Sequence, residues 1–307
     1  MVIPTESEII SQFEDSDIAL TIVCFSFNHA AFISSAIKGF LIQKTKFRFE
    51  IICYDDCSTD NSRDIIQSYK DNYPNLFTVI FPDENHFSKG RNPFIDKVLP
   101  HLKGRYISCC EGDDFWVDPN KVQLQLEFLE ANPDYVLATH DVASVDQKGT
   151  LVKESCVSNY YKQDFSEVEL KLGWAGPLTQ ALIYRNIYSS YPEEFHKVHL
   201  GDAFLAALLG EHGKSKYLET IKPSYYRLHN GGVFSPLGTD DRHDVQSLTF
   251  FWMYKYYKRV NDLNAAHVYK MKALEKLVRG IKFKDFVKLF LIRFFGINMT
   301  KLIKSRK

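Results

Sequence analysis

Apolar and polar positions along this chain fall into two kinds of run. Ile18-Ala19-Leu20-Thr21-Ile22-Val23-Cys24-Phe25 is almost continuously apolar and rich in β-branched residues. Such a run fits a strand covered on both faces in a parallel sheet. Phe49 to Tyr54, Phe77 to Phe81, Tyr106 to Cys110, Tyr135 to Thr139 and Leu178 to Tyr184 repeat the character. Between them lie stretches with helical spacing: Ala31 to Gln43, Asn92 to Leu102, Lys121 to Glu130 after Pro119, and Asp202 to about Leu209. Ser58-Thr59-Asp60 predicts the cap of a further helix that runs to about Tyr69. This alternation predicts an α/β sheet with right-handed crossovers. From Asp141 to about Gly176 the pattern loosens around the turn Asp146-Gln147-Lys148-Gly149. Tyr217 to Leu228 reads as strand and connector, and the chain is helical from about Asp241 onward.

Open sheets of this class bind ligands at the carboxyl ends of their strands. Asn28, Asp55, Asp56 and the segment Glu111-Gly112-Asp113-Asp114 all fall there. Three carboxylates within four residues repel one another at neutral pH unless a cation or hydrogen-bond donors hold them. Carboxylate oxygens suit hard divalent ions. Two readings follow for Glu111 to Asp114: a metal–diphosphate site, or an acidic turn before the helix that Pro119 starts.

Composition narrows the class. The 307 residues hold 45% hydrophobic and 25% charged side chains, as in an ordinary globular protein. The formal net charge is zero, which excludes a global field for nucleic acid. The cysteines are Cys24, Cys53, Cys57, Cys109, Cys110 and Cys156, mostly within strand-like runs. Cys53 and Cys57 lack the second pair that would complete a zinc site, so reduced thiols are expected. Met1 to Asp17 has no signal-peptide core, and no apolar run reaches a membrane-spanning length. The expected location is the cytosol.

The motifs together carry a family resemblance. From about Ile18 to Ser235 the chain resembles the family-2 glycosyltransferases of GT-A fold, especially bacterial ones acting on surface polysaccharides. Ser26-Phe27-Asn28 stands where that family has a Pro-Thr-Tyr-Asn type loop, with Phe25 replacing the proline. Tyr54-Asp55-Asp56-Cys57-Ser58-Thr59-Asp60 matches its Asp-Asp-Gly-Ser-Thr-Asp stretch, with Cys57 in the glycine position. Glu111-Gly112-Asp113-Asp114 resembles the metal-binding Asp-x-Asp region, Glu111 standing in for the first Asp. Gly201-Asp202 sits where the family carries its catalytic Asp, and Tyr226 to Val233 matches a loop closing over the donor.

The resemblance implies a mostly parallel, mixed Rossmann-like sheet flanked by helices, with a helical C-terminal extension. It divides the chain into an N-terminal arm (1–17), a catalytic domain (18–235) and an extension (236–307). The catalytic domain comprises a nucleotide-sugar-binding half (18–118) and an acceptor half (119–235). It implies an inverting transfer from a nucleotide-diphospho sugar, a UDP-sugar favoured, to a glycan or lipid-linked acceptor, with Mn²⁺ or Mg²⁺ as cofactor. Asp113 is the principal metal ligand in this reading, and His229 a further ligand or a phosphate contact. Asp202 is the general base, or only a helix cap. Ser26, Asn28, Asp55, Asp56, Glu111, Asp114 and Arg227 are the expected donor contacts. One of Asp55 and Asp56 is expected to touch the base while the other caps a helix. Asn28 serves the base and ribose or simply forms a turn, and Arg227 neutralises the diphosphate or belongs to an ordinary connection. Trp174 either stacks on an acceptor sugar or is ordinary packing. A nucleotidyltransferase would need a glycine-rich basic loop after the first strand, which Ser26-Phe27-Asn28-His29 is not. A non-catalytic nucleotide-sugar or glycan-binding module is the other alternative.

Phe283, Phe286, Val287, Phe290, Leu291 and Phe294 recur on one helical face, and Lys301, Lys304, Arg306 and Lys307 follow. This basic amphipathic tail (281–307) fits contact with the inner membrane face, docking on the chain's own core, or a homodimer contact.

Overall fold

The computed structural model describes residues 2–232 and 238–280. The tail expected over 281–307, and the expected boundary at 235, lie outside the described residues. The first run forms β1 (Leu20–Ser26), flanked in parallel by β2 (Phe49–Asp55) on one side and by β4 (Tyr106–Cys109) on the other, with β3 (Phe77–Ile80) outside β2. The register sets Ser26 opposite Asp55, so two expected site residues meet at the carboxyl edge.

Beyond β4 the sheet changes direction. β8 (Ile183–Arg185) runs antiparallel between β4 and β5 (Tyr135–Thr139), and β9 (Lys214–Tyr217) pairs parallel with β5. The sheet is thus mostly parallel and mixed, as expected. The loosely patterned region supplies β6 (Val142–Val145) and β7 (Leu151–Lys153), which join β10 (Ser224–Arg227) in a second, three-stranded sheet.

α2 (Ile33–Leu41) and α4 (Lys121–Ala131) share one core with the strands, burying Ile37, Phe40, Val122, Leu126 and Leu129 with Leu20, Ile22 and Ile51. Each such side chain contributes about 1.5–3 kcal/mol when fully buried. Gly39 lets α2 settle on Trp116, because a Cβ there would lie 2.7 Å from the Trp116 carbonyl oxygen. α3 (Ser62–Asn72), α5 (Glu167–Lys171) and α6 (Gly201–Leu209) complete the helices of this unit together with α1 (Glu6–Ile10). α1 carries a Thr5–Glu8 capping box and buries Ile9 in the same core, so the segment expected as an arm holds a packed helix.

Two expectations change in detail. Leu178 to Tyr184 is not one strand: Thr179–Ala181 is a 3₁₀ turn and pairing begins at Ile183. Asn92 to Leu102 is a π turn (Phe94–Val98) followed by a 3₁₀ turn (Leu99–His101) rather than an α-helix. Pro100 within that stretch lacks the amide a continuous helix would need. All six cysteines are free.

The chain divides into two compact units. Among the described residues, one holds 2–196 and 201–230, and the other holds 197–200, 231–232 and 238–280. In the second, α7 (Thr239–Arg259) and α8 (Leu263–Gly280) pair through Tyr257 stacked on Tyr269, with ring centroids 5.4 Å apart.

One core residue carries a charge problem. Lys121 is 1% exposed, and its Nζ lies 3.9 Å from the Trp116 ring centroid with no hydrogen-bond partner. Burial pulls its pKa down to about 7. The π face offsets about 2 kcal/mol of the desolvation. Lys121→Met should therefore stabilise the fold by about 1–3 kcal/mol at pH 7 in chemical denaturation. In the wild type the unfolded lysine stays protonated to about pH 10.4. Stability should rise as pH climbs from about 7 toward that value, and the advantage of the variant should shrink across the same window.

Candidate active site

The acidic loop is held from both sides. After β4 the chain keeps running beside β1: Cys110 N–H donates to the Val23 carbonyl (2.9 Å) and Gly112 N–H to the Phe25 carbonyl (2.7 Å). Gly112 passes close to the loop after β1, where a Cβ would sit 2.7 Å from Ile33 Cδ1 and 3.0 Å from His29 Nδ1. On the other side Phe115 and Tyr225 exchange backbone hydrogen bonds of 3.1 and 2.8 Å. That bridge pins the loop to β10, and the chain then delivers Arg227 and His229.

Asp113 is the meeting point. Its Oδ2 lies 2.8 Å from His229 Nε2 and 3.7 Å from His29 Nε2. One possible ligand atom from each of these three residues lies within 4.8 Å of the others. Burial lowers the pKa of His29, against the opposing Asp113 charge, which favours the neutral imidazole. His29 is the residue the sequence reading missed as a site residue. The available signal is its position at the carboxyl end of β1, beside Asn28, in a stretch that reads as a turn.

The remaining acids feel one another. Burial, then the charges of Asp113 and Asp202, push Glu111 up to about 7. Asp202 is the last of these influences on Glu111. It is the second residue of α6, its carboxylate accepts from the Ala203 N–H (2.8 Å), and burial raises its pKa. Asp114 is buried and held well above the usual carboxylate range, first by burial and then by Asp113 and Glu111. Its Oδ1 accepts from the Arg227 backbone N–H (2.9 Å).

Several expected donor contacts are engaged within the chain. Arg227 donates Nε to the Asp113 carbonyl and Nη1 to the carbonyls of Asp146 and Gln147. Its guanidinium carbon lies 4.9 and 5.0 Å from the rings of Phe32 and Phe115. Those two nitrogens hold the loop in this arrangement and are not presented to a diphosphate. Asp55 accepts from the Ser58 backbone and hydroxyl and from Arg63 Nε. Asp56 accepts from Tyr54 Oη and from the backbone amides of His86 and Phe87. Asn28 adopts φ +56°, and its Oδ1 accepts from Thr59 N–H, stitching the loops after β1 and β2 together. Cys57 has φ +66°, a conformation that favours glycine. Ser26 Oγ is buried without a hydrogen-bond partner. Trp174 is exposed.

One carboxylate and two imidazoles form a donor set suited to a divalent metal ion. Ligands about 2.1 Å from a common ion lie about 3.0–3.4 Å apart in octahedral or tetrahedral arrangements. The observed separations of 2.8 and 3.7 Å straddle that range. The residues present therefore fit such an ion.

The family model described as glycosyl transferase family 2 matches residues 21–188. The chain belongs to this family. A Mycobacterium tuberculosis relative, named an uncharacterized protein, is 32% identical over 224 residues, covering 73% of this chain and 62% of its own length. This family member thus spans less than two thirds of that relative. An Escherichia coli protein, named a UDP-Glc:alpha-D-GlcNAc-diphosphoundecaprenol beta-1,3-glucosyltransferase, is 33% identical over 111 residues, covering 36% of this chain and 41% of its own. Among solved structures, a mannosyltransferase of Pyrobaculum calidifontis in complex with GDP-Man and Mn²⁺ superposes with a TM-score of 0.56. At 12% identity, covering 96% of this chain and 88% of that one, it establishes the fold. The mixed sheet of this family-2 chain is the GT-A architecture.

Proposed function

We propose that this chain is an inverting, metal-dependent glycosyltransferase. It moves a sugar from a nucleotide-diphospho sugar, a UDP-sugar by preference, to a hydroxyl of a glycan or lipid-linked acceptor in surface-polysaccharide synthesis. The observation that carries the reading is the meeting of Asp113 and His229, from two separate stretches of sequence, beside a Glu111 that feels the charge of Asp202. The names of the glucosyltransferase and mannosyltransferase relatives support the donor class and the divalent ion.

Asp113 and His229 hold the ion, which when bound offsets the charge on the departing diphosphate. Arg227, locked between Phe32 and Phe115, keeps the Asp113 backbone in place. Asp114 fixes the start of the His229 loop through the Arg227 amide. Asp202 takes the proton from the acceptor hydroxyl as its oxygen attacks the anomeric carbon. Ser26, Asn28, Asp55 and Asp56 shape the nucleoside side of the cleft, and Trp174 offers an exposed face to the acceptor sugar.

Incubation with a panel of nucleotide sugars, Mn²⁺ and polyprenyl-linked or oligosaccharide acceptors should release nucleotide diphosphate from one donor. NMR of the product should show inversion at the anomeric carbon. A product of retained configuration would remove the single-displacement role of Asp202, and absence of release with every donor would remove the transferase reading.

No described helix is long and apolar enough to cross a membrane. The basic amphipathic sequence of 281–307 supports a peripheral membrane role. In liposome flotation, anionic vesicles should carry the full chain upward and leave a form ending at residue 280 behind. Equal flotation of both forms would end the membrane proposal.

A further inference from the structure

We propose that His29 is a third protein ligand of the metal ion. A set of two histidines and one carboxylate would then bind Mn²⁺ before the donor arrives and select it over Mg²⁺. The inference rests on the metal-dependent reading above and adds the residue that makes the site self-sufficient.

His29 Nε2 and Asp113 Oδ2 stand 3.7 Å apart, which is too long for a hydrogen bond. Hydrogen bonding does not account for the approach, whereas a shared ion would hold the two atoms only a few tenths of an ångström closer. The backbone that carries the His29 ring is held as well. The His29 backbone N–H donates to Ser62 Oγ (2.9 Å), and the His29 carbonyl accepts the amides of Phe32 and Ile33 (2.8 Å each) as α2 begins. Gly112 packs behind the ring at Nδ1, which is buried without a hydrogen-bond partner. His29 and His229 also meet edge to face, with centroids 6.1 Å apart. The backbone is fixed on one side, Asp113 stands at Nε2, and a ligand atom of His229 lies within 4.8 Å.

An ion with one or two protein ligands completes its shell from substrate phosphates and water, as Mg²⁺ commonly does. Three protein ligands reduce that dependence. Imidazole nitrogen suits first-row transition ions, while Mg²⁺ prefers oxygen and gives up its waters reluctantly. Two nitrogens beside one carboxylate therefore bias the site toward Mn²⁺ without excluding the ions that follow it in affinity.

The test titrates the full chain with Mn²⁺ alone, reading the loss of the free-ion EPR signal in the absence of nucleotide. Wild type should bind one Mn²⁺ and retain it against about a hundredfold excess of Mg²⁺. His29→Ala and His29→Phe, the second keeping a ring without nitrogens, should each weaken nucleotide-free binding by about tenfold or more. His101→Ala, at an exposed histidine, should match wild type. Adding UDP should restore most of the lost affinity, because diphosphate oxygens replace the missing nitrogen. Thermal melts establish that the variants are folded. Wild-type affinity in both folded His29 variants, no Mn²⁺ binding by wild type without UDP, or displacement by equimolar Mg²⁺ would each overturn the proposal. Mn²⁺ binding retained by Asp113→Asn in the presence of UDP would instead overturn the underlying metal site.

Discussion

Asp113→Asn should lower nucleotide-sugar turnover by on the order of 10³-fold, measured as nucleotide release at saturating Mn²⁺. The carboxylate oxygen that faces both His229 and His29 becomes one end of a neutral amide. Loss of Lewis-acid stabilisation of the leaving group is worth several kcal/mol, and each 1.36 kcal/mol is a factor of ten. The fold should survive, because the Asp113 backbone carbonyl still accepts from Arg227 Nε and the Phe115–Tyr225 bridge is untouched. Mn²⁺ affinity should fall together with turnover. A variant that keeps its turnover while losing Mn²⁺ binding would separate the ion from the chemistry.

Asp202→Asn should bind donor as wild type does and lose transfer by about 10²- to 10⁴-fold, the usual contribution of a general base. Donor affinity by calorimetry and product formation in a single turnover distinguish this pattern from misfolding. The pH profile gives a second readout. Transfer needs the carboxylate form, and burial raises the pKa of Asp202. Activity should therefore fall on acidification at a pH above the roughly 3.9 of an ordinary aspartate. In Asp202→Asn the residual rate should lose that dependence. An unchanged rate in the variant would remove Asp202 from the proton transfer.

The parts of the site that the sequence made legible share a property: they sit at the ends of strongly patterned strands. Asp55, Asp56 and Glu111 to Asp114 each follow an apolar run, so their place at the sheet edge follows from local pattern and general α/β architecture. Cys57 is a similar case, since its glycine-type position in the motif corresponds to a positive φ. The same reasoning gave way where pattern was weak. β6 and β7 are short, and β7 is wholly exposed, so neither shows the alternation that marks a half-buried strand. The three-residue β8 owes its place to pairing with β4 and β5 rather than to its own length.

The sequence by itself determined the α/β class, the parallel strands around β1 and the acidic segment at their carboxyl edge. It did so because burial on both faces demands continuous apolar runs and the strand ends are where polar residues can follow. Tertiary structure alone decided which side chains meet. Sequence leaves Arg227 open between a diphosphate contact and an ordinary connection, and the fold adds that Phe32, Phe115 and three backbone carbonyls from distant segments hold its guanidinium. His29 reads as a turn residue, yet the backbone bonds of Gly112 to Phe25 and of Phe115 to Tyr225 bring it and His229 to the same Asp113 oxygen. Such convergence depends on long-range register and on the close approach that one glycine permits, neither of which periodicity along the chain encodes.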